Sequence, residues 1–165
     1  MLAYDLHGTW DKASKFVGPY LAPHTNITEI DLGLDLLWRA GVKPANVIMG
    51  QGWYGRSFTL ADPSCNKPNG VCQFSDAAKP GPISNAAGIL IDAKIFEIVK
   101  SNNLQPTWDK TAGVKWVGFA QSLFGTWFIL MIYRSPGTLI NGSHMTTTTH
   151  SSRNETLLIR AVSEV

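Results

Sequence analysis

Between Thr28 and Met49 the chain spells one amphipathic helix followed by one short apolar strand, and this unit constrains the fold more than any other stretch. Thr28 is read as the N-cap, with Glu29 and Asp31 in the first turn, where negative charge favours the helix dipole. Ile30, Leu34 and Leu37 recur at helical spacing on one face, and Gly41 supplies the stop. Val47-Ile48-Met49, with Gly50 and Gly52 just beyond it, reads as a buried strand. Helix followed by parallel strand is the repeating unit of an α/β barrel.

The segments around this unit have a different character. Leu2 to Tyr4 is a short apolar start, and a loop follows through Trp10, Phe16, Pro19 and Pro23. From Thr59 to about Gly88 the chain is rich in Pro, Gly, Ser, Asn and Cys, which predicts turns and short hairpins. Asp92 is read as the cap of a second helix carrying Ile95, Phe96, Ile98 and Val99. Thr107 to Asp109 and Val114 to Phe119 pair as a hairpin across Lys110-Thr111-Ala112-Gly113. This middle part reads as a compact α+β unit. Leu123 to Tyr133 is apolar apart from Gly125 and Thr126, shorter than the roughly 20 residues a membrane span needs. Four threonines, Thr146 to Thr149, and a polar run close the chain with no core-forming pattern.

Composition removes several function classes. At 165 residues the chain is long enough for one ordinary domain. A net charge of +2 without a basic stripe makes nucleic acid a poor partner. Charged residues make up 16%, a low share for a cytosolic protein and ordinary for a secreted one. Cys65 and Cys72 are either a short disulfide loop or two free thiols. No histidine lies near them, so no metal site is read there. Met1 to Asp5 lacks the basic and apolar regions of a signal peptide. Sequons occur at Asn26, Asn141 and Asn154, which matter only in the secretory pathway.

Two short runs carry the chemistry. Tyr4-Asp5-Leu6-His7-Gly8-Thr9-Trp10-Asp11, continuing through Val17-Gly18-Pro19-Tyr20-Leu21 and His24-Thr25-Asn26, resembles the end of barrel strand six in fungal chitinases of glycoside hydrolase family 18. Tyr54-Gly55-Arg56-Ser57-Phe58-Thr59-Leu60-Ala61-Asp62-Pro63-Ser64-Cys65 resembles strand seven leading into the chitinase insertion domain. Gly88-Ile89-Leu90, Trp108-Asp109-Lys110 and Val114-Lys115 match that insertion as well. The resemblance covers residues 1 to about 119. It implies a partial TIM (β/α)8 barrel over 1–58, an α+β insertion domain over 59–119 and an unstructured or aberrant tail over 120–165. A complete barrel needs about 250 residues, so length excludes one.

The family resemblance also implies a reaction. Hydrolysis of β-1,4-linked N-acetylglucosamine polymers is substrate-assisted and retaining, outside the usual two-carboxylate scheme, and needs no metal or cofactor. A glutamic acid protonates the glycosidic oxygen while the substrate's own N-acetyl oxygen attacks the anomeric carbon. Tyr4 would donate its hydroxyl to that acetamido oxygen, Asp5 would hydrogen-bond the same sugar, and Tyr54 and Arg56 would complete the wall. Trp10 and Trp53 are candidate sugar-stacking surfaces. Taken alone, Tyr and Asp at a strand end are packing and capping residues, and His7 is a structural hydrogen-bonding residue. The implied partner is chitin or a chitooligosaccharide; the implied location is extracellular for the family, and none is assigned to this product.

Departures from the family pattern restrict the activity expected of this chain. The family acid lies in an Asp-x-x-Asp-x-Asp-x-Glu run, and no such spacing occurs here; Asp31 and Asp35 lack the following Glu. Leu2 stands where a methionine is usual, Ile83 where the fungal pattern often has cysteine, and the strand-eight tryptophan is missing. The chain is therefore expected to be a non-hydrolysing fragment. The alternatives are a chitin-binding, lectin-like remnant or a membrane-associated protein using residues 123–133. A permitted codon choice for Asn141 to Thr149, read two nucleotides into the Ile140 codon, gives QWVSHDDDDTF, close to the family's Trp-Val-Ser-Tyr-Asp-Asp segment. The expectation is a change of frame between about Gln121 and Thr138.

Overall fold

A computed structural model describes residues 1–122 and 126–133, with side chains through Phe119. Helix α1, Ile27–Arg39, occupies the predicted place, but its cap is Asn26 and not Thr28. Asn26 Oδ1 accepts from the Thr28 backbone N–H at 3.1 Å, while the Thr28 hydroxyl donates to the Thr111 carbonyl. Both residue types cap helices, and the one two positions upstream took the role. Gly41, at φ +79°, ends α1 as expected, with Gly41 N–H on Trp38 O and Val42 N–H on Leu37 O. That pair of reversed bonds satisfies carbonyls the helix end would otherwise leave bare.

The buried face of α1 contributes Ile30 and Leu34 to a core shared with Ala3 and Met49. Above it two chain segments run parallel: Ala3 N–H donates to Gly50 O at 3.0 Å and Gly50 N–H to Met1 O at 2.9 Å. The expected buried strand Val47-Ile48-Met49 needs correction. The isolated parallel bridge falls on Gly50, just beyond the run, and Ile48 is 69% exposed while Met49 is buried. Alternation sends Ile48 away from α1, so the three residues are half-buried extended chain.

A six-stranded antiparallel sheet follows: β1 (Tyr54–Leu60), β2 (Phe74–Ala77), β3 (Ile89–Ile91), β4 (Thr107–Asp109), β5 (Val114–Ser122) and β6 (Thr126–Tyr133). The order is β2-β1-β6-β5-β4, with β3 paired to the first half of β1. Both faces of this sheet carry a core. Phe58, Leu60 and Val114 pack with Leu21, Cys72 and Phe74 on one side. Val117 packs with Ala78, Leu90 and Ile95 on the other, where helix α2 (Asp92–Ser101) lies. Fully burying a phenylalanine such as Phe58 contributes about 2–3 kcal/mol. Strand alternation places Tyr54 and Arg56 on the same side of β1 as Phe58 and Leu60.

Asp92 opens α2 as its first residue, and the cap position is Ile91, without a side-chain bond. The helix closes like α1, with Asn103 in the left-handed region at φ 49° and Leu104 N–H on Val99 O. The predicted hairpin forms: Asp109 faces Val114, and the Asp109 carboxylate accepts from Thr111 and Ala112 N–H across the turn. Cys65 and Cys72 are disulfide-bonded in this structure.

The expected domain boundaries fall inside strands. β1 crosses 58/59 and β5 crosses 119/120, so neither is a linker. The expectation of an unstructured tail is likewise corrected for residues 126–133, which form β6 between β1 and β5. Aromatic and β-branched residues fill that run, and such residues favour strands. The remaining tail, with Asn141, Asn154 and the four threonines, lies outside the described residues. Among the described residues no helix is long and apolar enough to cross a membrane.

Candidate functional site

The site forms where the turn after the first parallel segment meets the start of β1. Asp5 adopts φ 59°, a left-handed conformation that Asp tolerates better than most residues. Tyr54 Oη donates to Asp5 Oδ1 at 2.5 Å. Arg56 reaches the same oxygen with Nη2 at 2.7 Å and Nε at 3.1 Å. One carboxylate oxygen thus collects a phenol and two guanidinium donors, charge-assisted contacts of the stronger kind.

Electrostatics follow from this arrangement. Burial pushes the Asp5 carboxyl up, but the hydrogen bonds from Tyr54 and Arg56 and the nearby positive charge outweigh it and hold the group below the ordinary carboxylate value. The Tyr54 phenol moves the opposite way: burial and its bond to Asp5 raise it well above the usual tyrosine value. Asp5 is therefore an anionic acceptor and Tyr54 a neutral donor across the physiological range.

Aromatic rings enclose the pair. The Arg56 guanidinium lies 4.7 Å from the Trp10 ring centroid and 5.5 Å from that of Tyr54, within cation–π range. Tyr4 meets Tyr54 edge to face at 6.1 Å. Two glycines make room: a Cβ on Gly8 would lie 2.3 Å from the Trp10 ring, and one on Gly52 would lie 3.1 Å from both Tyr4 and Tyr54. Trp10 itself rides on a 3₁₀ turn, Thr9–Ala13, held by Gly8 N–H on the buried Asp11 carboxylate at 3.0 Å.

The sequence-derived set is gathered unequally. Tyr4, Asp5, Trp10, Tyr54 and Arg56 form one cluster. Trp53 is 58% exposed and joins none of these contacts among the described residues. It alternates away from Tyr54 along the chain. His7 is structural, as expected: Nε2 lies 3.0 Å from Glu29 Oε2 and Nδ1 3.4 Å from Asp11 Oδ2, tying the loop to α1. Asn26 Nδ2 donates to Glu29 as well, at 2.7 Å. Cys65 and Cys72 lie away from the cluster, against the core of β1 and β2. No group of His, Cys, Asp and Glu suited to a metal ion occurs among the described residues.

One residue escapes sequence reasoning. His24 is fully buried, stacks on Tyr54 at 5.2 Å and 30°, and brings Nδ1 to 3.6 Å from Asp5 Oδ1. Its signal in the sequence is only its place in the His24-Thr25-Asn26 run.

Comparison with known proteins fits this geometry. The chain is similar to the secreted chitinase LysM12 of Penicillium expansum, 32% identical over 113 residues, or 62% of this chain and 7% of that protein. It is 29% identical over 125 residues to the class V chitinase CHIT5a of Medicago truncatula, covering 72% of this chain and 30% of that one. In three dimensions it matches the class V chitinase of Nicotiana tobaccum with a TM-score of 0.62 at 15% identity, covering 82% of this chain and 36% of that structure. A mutant of that tobacco enzyme is known in complex with NAG4. The structural match shows the fold, and the chain spans a third or less of the two relatives' length. The family model for glycosyl hydrolases family 18 matches residues 1–130, past Phe119 and into β6. On that match over most of its length, the chain belongs to family 18 of the glycosyl hydrolases.

Proposed function

We propose that the Tyr4–Asp5–Trp10–Tyr54–Arg56 cluster is part of the sugar-binding wall of a chitinase, contributed by the sixth and seventh strands of a TIM barrel. The sheet that β1 leads into, over residues 59–119, is then the family's insertion domain, and the resemblance is to the fungal type. The observation that carries this reading is the convergence of Tyr54 and Arg56 on one oxygen of Asp5. It fixes an anionic acceptor beside the Tyr4 ring, a pairing suited to a ligand that offers hydroxyl and amide groups together. N-acetylglucosamine offers both. In the reaction Tyr4 would donate to the acetamido oxygen and hold it in line for attack, and Asp5 would accept from the same sugar's amide. Tyr54 and Arg56 keep Asp5 ionised and immobile while this happens, and Trp10 offers a ring face to a sugar.

The intact relatives would hydrolyse chitin outside the cell. This chain carries no Asp-x-x-Asp-x-Asp-x-Glu run and so no general acid at the family's position. For these 165 residues by themselves we propose a share in holding chitooligosaccharide, with no cleavage by them alone. Calorimetric titration of the purified chain with chitotetraose tests this: heat of binding is expected, with no shorter sugars released on long incubation. Absence of heat overturns the binding reading, and release of chitobiose overturns the non-catalytic one.

A further inference from the structure

We propose that His24 is a positioning residue of the site, a buried brace that sets the Tyr54 ring and the Asp5 carboxylate relative to each other. It rests on the sugar-binding reading above for its functional meaning, but its geometry stands independently. Asp5 and Tyr54 come from separate parts of the chain and meet through a single short hydrogen bond. A bond alone fixes a distance and leaves the phenol ring able to swing about it. The His24 ring restricts that freedom on two counts, and its main chain holds the adjoining turn. Its ring stacks on the Tyr54 ring at 5.2 Å with the planes inclined by 30°, opposing further tilt. Its Nδ1 sits 3.6 Å from the same Oδ1 that Tyr54 and Arg56 address, so protonated or neutral it bears on that carboxylate. Its main-chain carbonyl accepts the N–H of Leu6 at 3.1 Å, anchoring the residue that follows the left-handed Asp5.

The placement is costly for an imidazole. His24 is fully buried, and a ring with two nitrogens is a poor choice for simple filling of an apolar space. Leucine or phenylalanine would fill such a volume without polar atoms. What an imidazole adds is a flat face combined with a polar edge at right angles to it. The face meets Tyr54 and the edge meets Asp5, which no aliphatic or purely aromatic side chain does.

The experiment is carried out on the whole chain, with ring-labelled tyrosine and NMR detection. The Tyr54 resonance is assigned with Tyr54→Phe. Chitotetraose affinity is measured in parallel by calorimetry. In wild type, a nuclear Overhauser contact between the His24 and Tyr54 rings is expected; its absence overturns the proposal whether or not any variant folds. His24→Ala is expected to shift the Tyr54 resonance and weaken chitotetraose binding about tenfold, as misplacement of a binding group does. His24→Phe, which restores the flat face alone, is expected to return the Tyr54 resonance toward wild type without full recovery of affinity. A folded His24→Ala with an unmoved Tyr54 resonance overturns the brace. Should wild type fail to bind the sugar, the sugar-binding reading falls, and the two NMR arms still decide the positioning role.

Discussion

Tyr54 and Asp5 stand 49 residues apart in the chain and meet at 2.5 Å, with the phenol donating to the carboxylate oxygen that Arg56 also grips. This contact joins the turn after the first parallel segment to the first strand of the sheet. The site is therefore also a structural seam, and perturbing it has both a binding and a stability readout.

Asp5→Asn removes the charge from that seam and leaves Arg56 nearly buried beside a neutral amide. The expected loss is about 1–2 kcal/mol, discounted because the carboxylate is about a third exposed. The pH dependence has a definite sign. The folded-state value of Asp5 is depressed, so its contribution is complete above the unfolded carboxyl value of about 4 and is lost as pH falls through the lower folded value. Thermal unfolding followed between pH 2 and 7 should show a steeper acid decline for wild type than for Asp5→Asn.

Gly52→Ala places a Cβ 3.1 Å from Tyr4 Cβ and from Tyr54 Cε1, closer than side chains normally pack. The two rings must part by a few tenths of an ångström. A stability loss of about 1 kcal/mol is expected, as overpacking typically causes. Weaker chitotetraose binding should accompany it, measured by calorimetry. Gly41→Ala, with φ +79° and no atom near its added Cβ, should cost stability alone and leave binding unchanged.

Reduction of the Cys65–Cys72 bridge opens a loop of seven-residue separation. By loop-closure entropy the oxidised form is favoured by about 2–3 kcal/mol. Urea unfolding with and without reductant measures the difference, and the Cys65→Ser, Cys72→Ser double variant should match the reduced protein.

Asp92 behaves in the opposite sense to Asp5. Burial holds its carboxyl above the ordinary value, so the folded chain binds this proton more tightly than the unfolded chain does. Its effect is most favourable below about pH 4 and declines as pH rises through the folded value. Asp92→Asn should therefore raise the melting temperature at pH 7 and leave it unchanged near pH 3. Scanning calorimetry at the two pH values checks the sign.

Legibility in the sequence divides along physical lines. Tyr4, Asp5, Tyr54 and Arg56 are legible as a set because the two runs that hold them resemble segments of family 18 chitinases. The α1 stop at Gly41 is legible because a left-handed residue is chemically distinctive. His24 is not legible: a buried brace has no periodicity, and its partners are remote in sequence. Asn26 and Thr28 are both capable caps two residues apart, and only the path of the preceding loop decides between them. The run at 126–133 carries composition without alternation, which suits a central strand, a membrane segment or translated noncoding text equally well. In the structure the run pairs with β1 and β5 as a strand.

The alternation of β1 has a consequence for fidelity. Tyr54 and Arg56 share parity with Phe58 and Leu60, so the strand cannot turn its binding side chains away without also turning its two core residues. A slip of one residue would carry all four to the opposite side of the sheet at once. Any molecule that has packed Phe58 against Phe74 has thereby aimed Arg56 at Asp5. Hydrophobic packing thus acts as a proofreader for the orientation of the Asp5–Tyr54–Arg56 cluster, and a chain that escapes this check is also one that has no stable core.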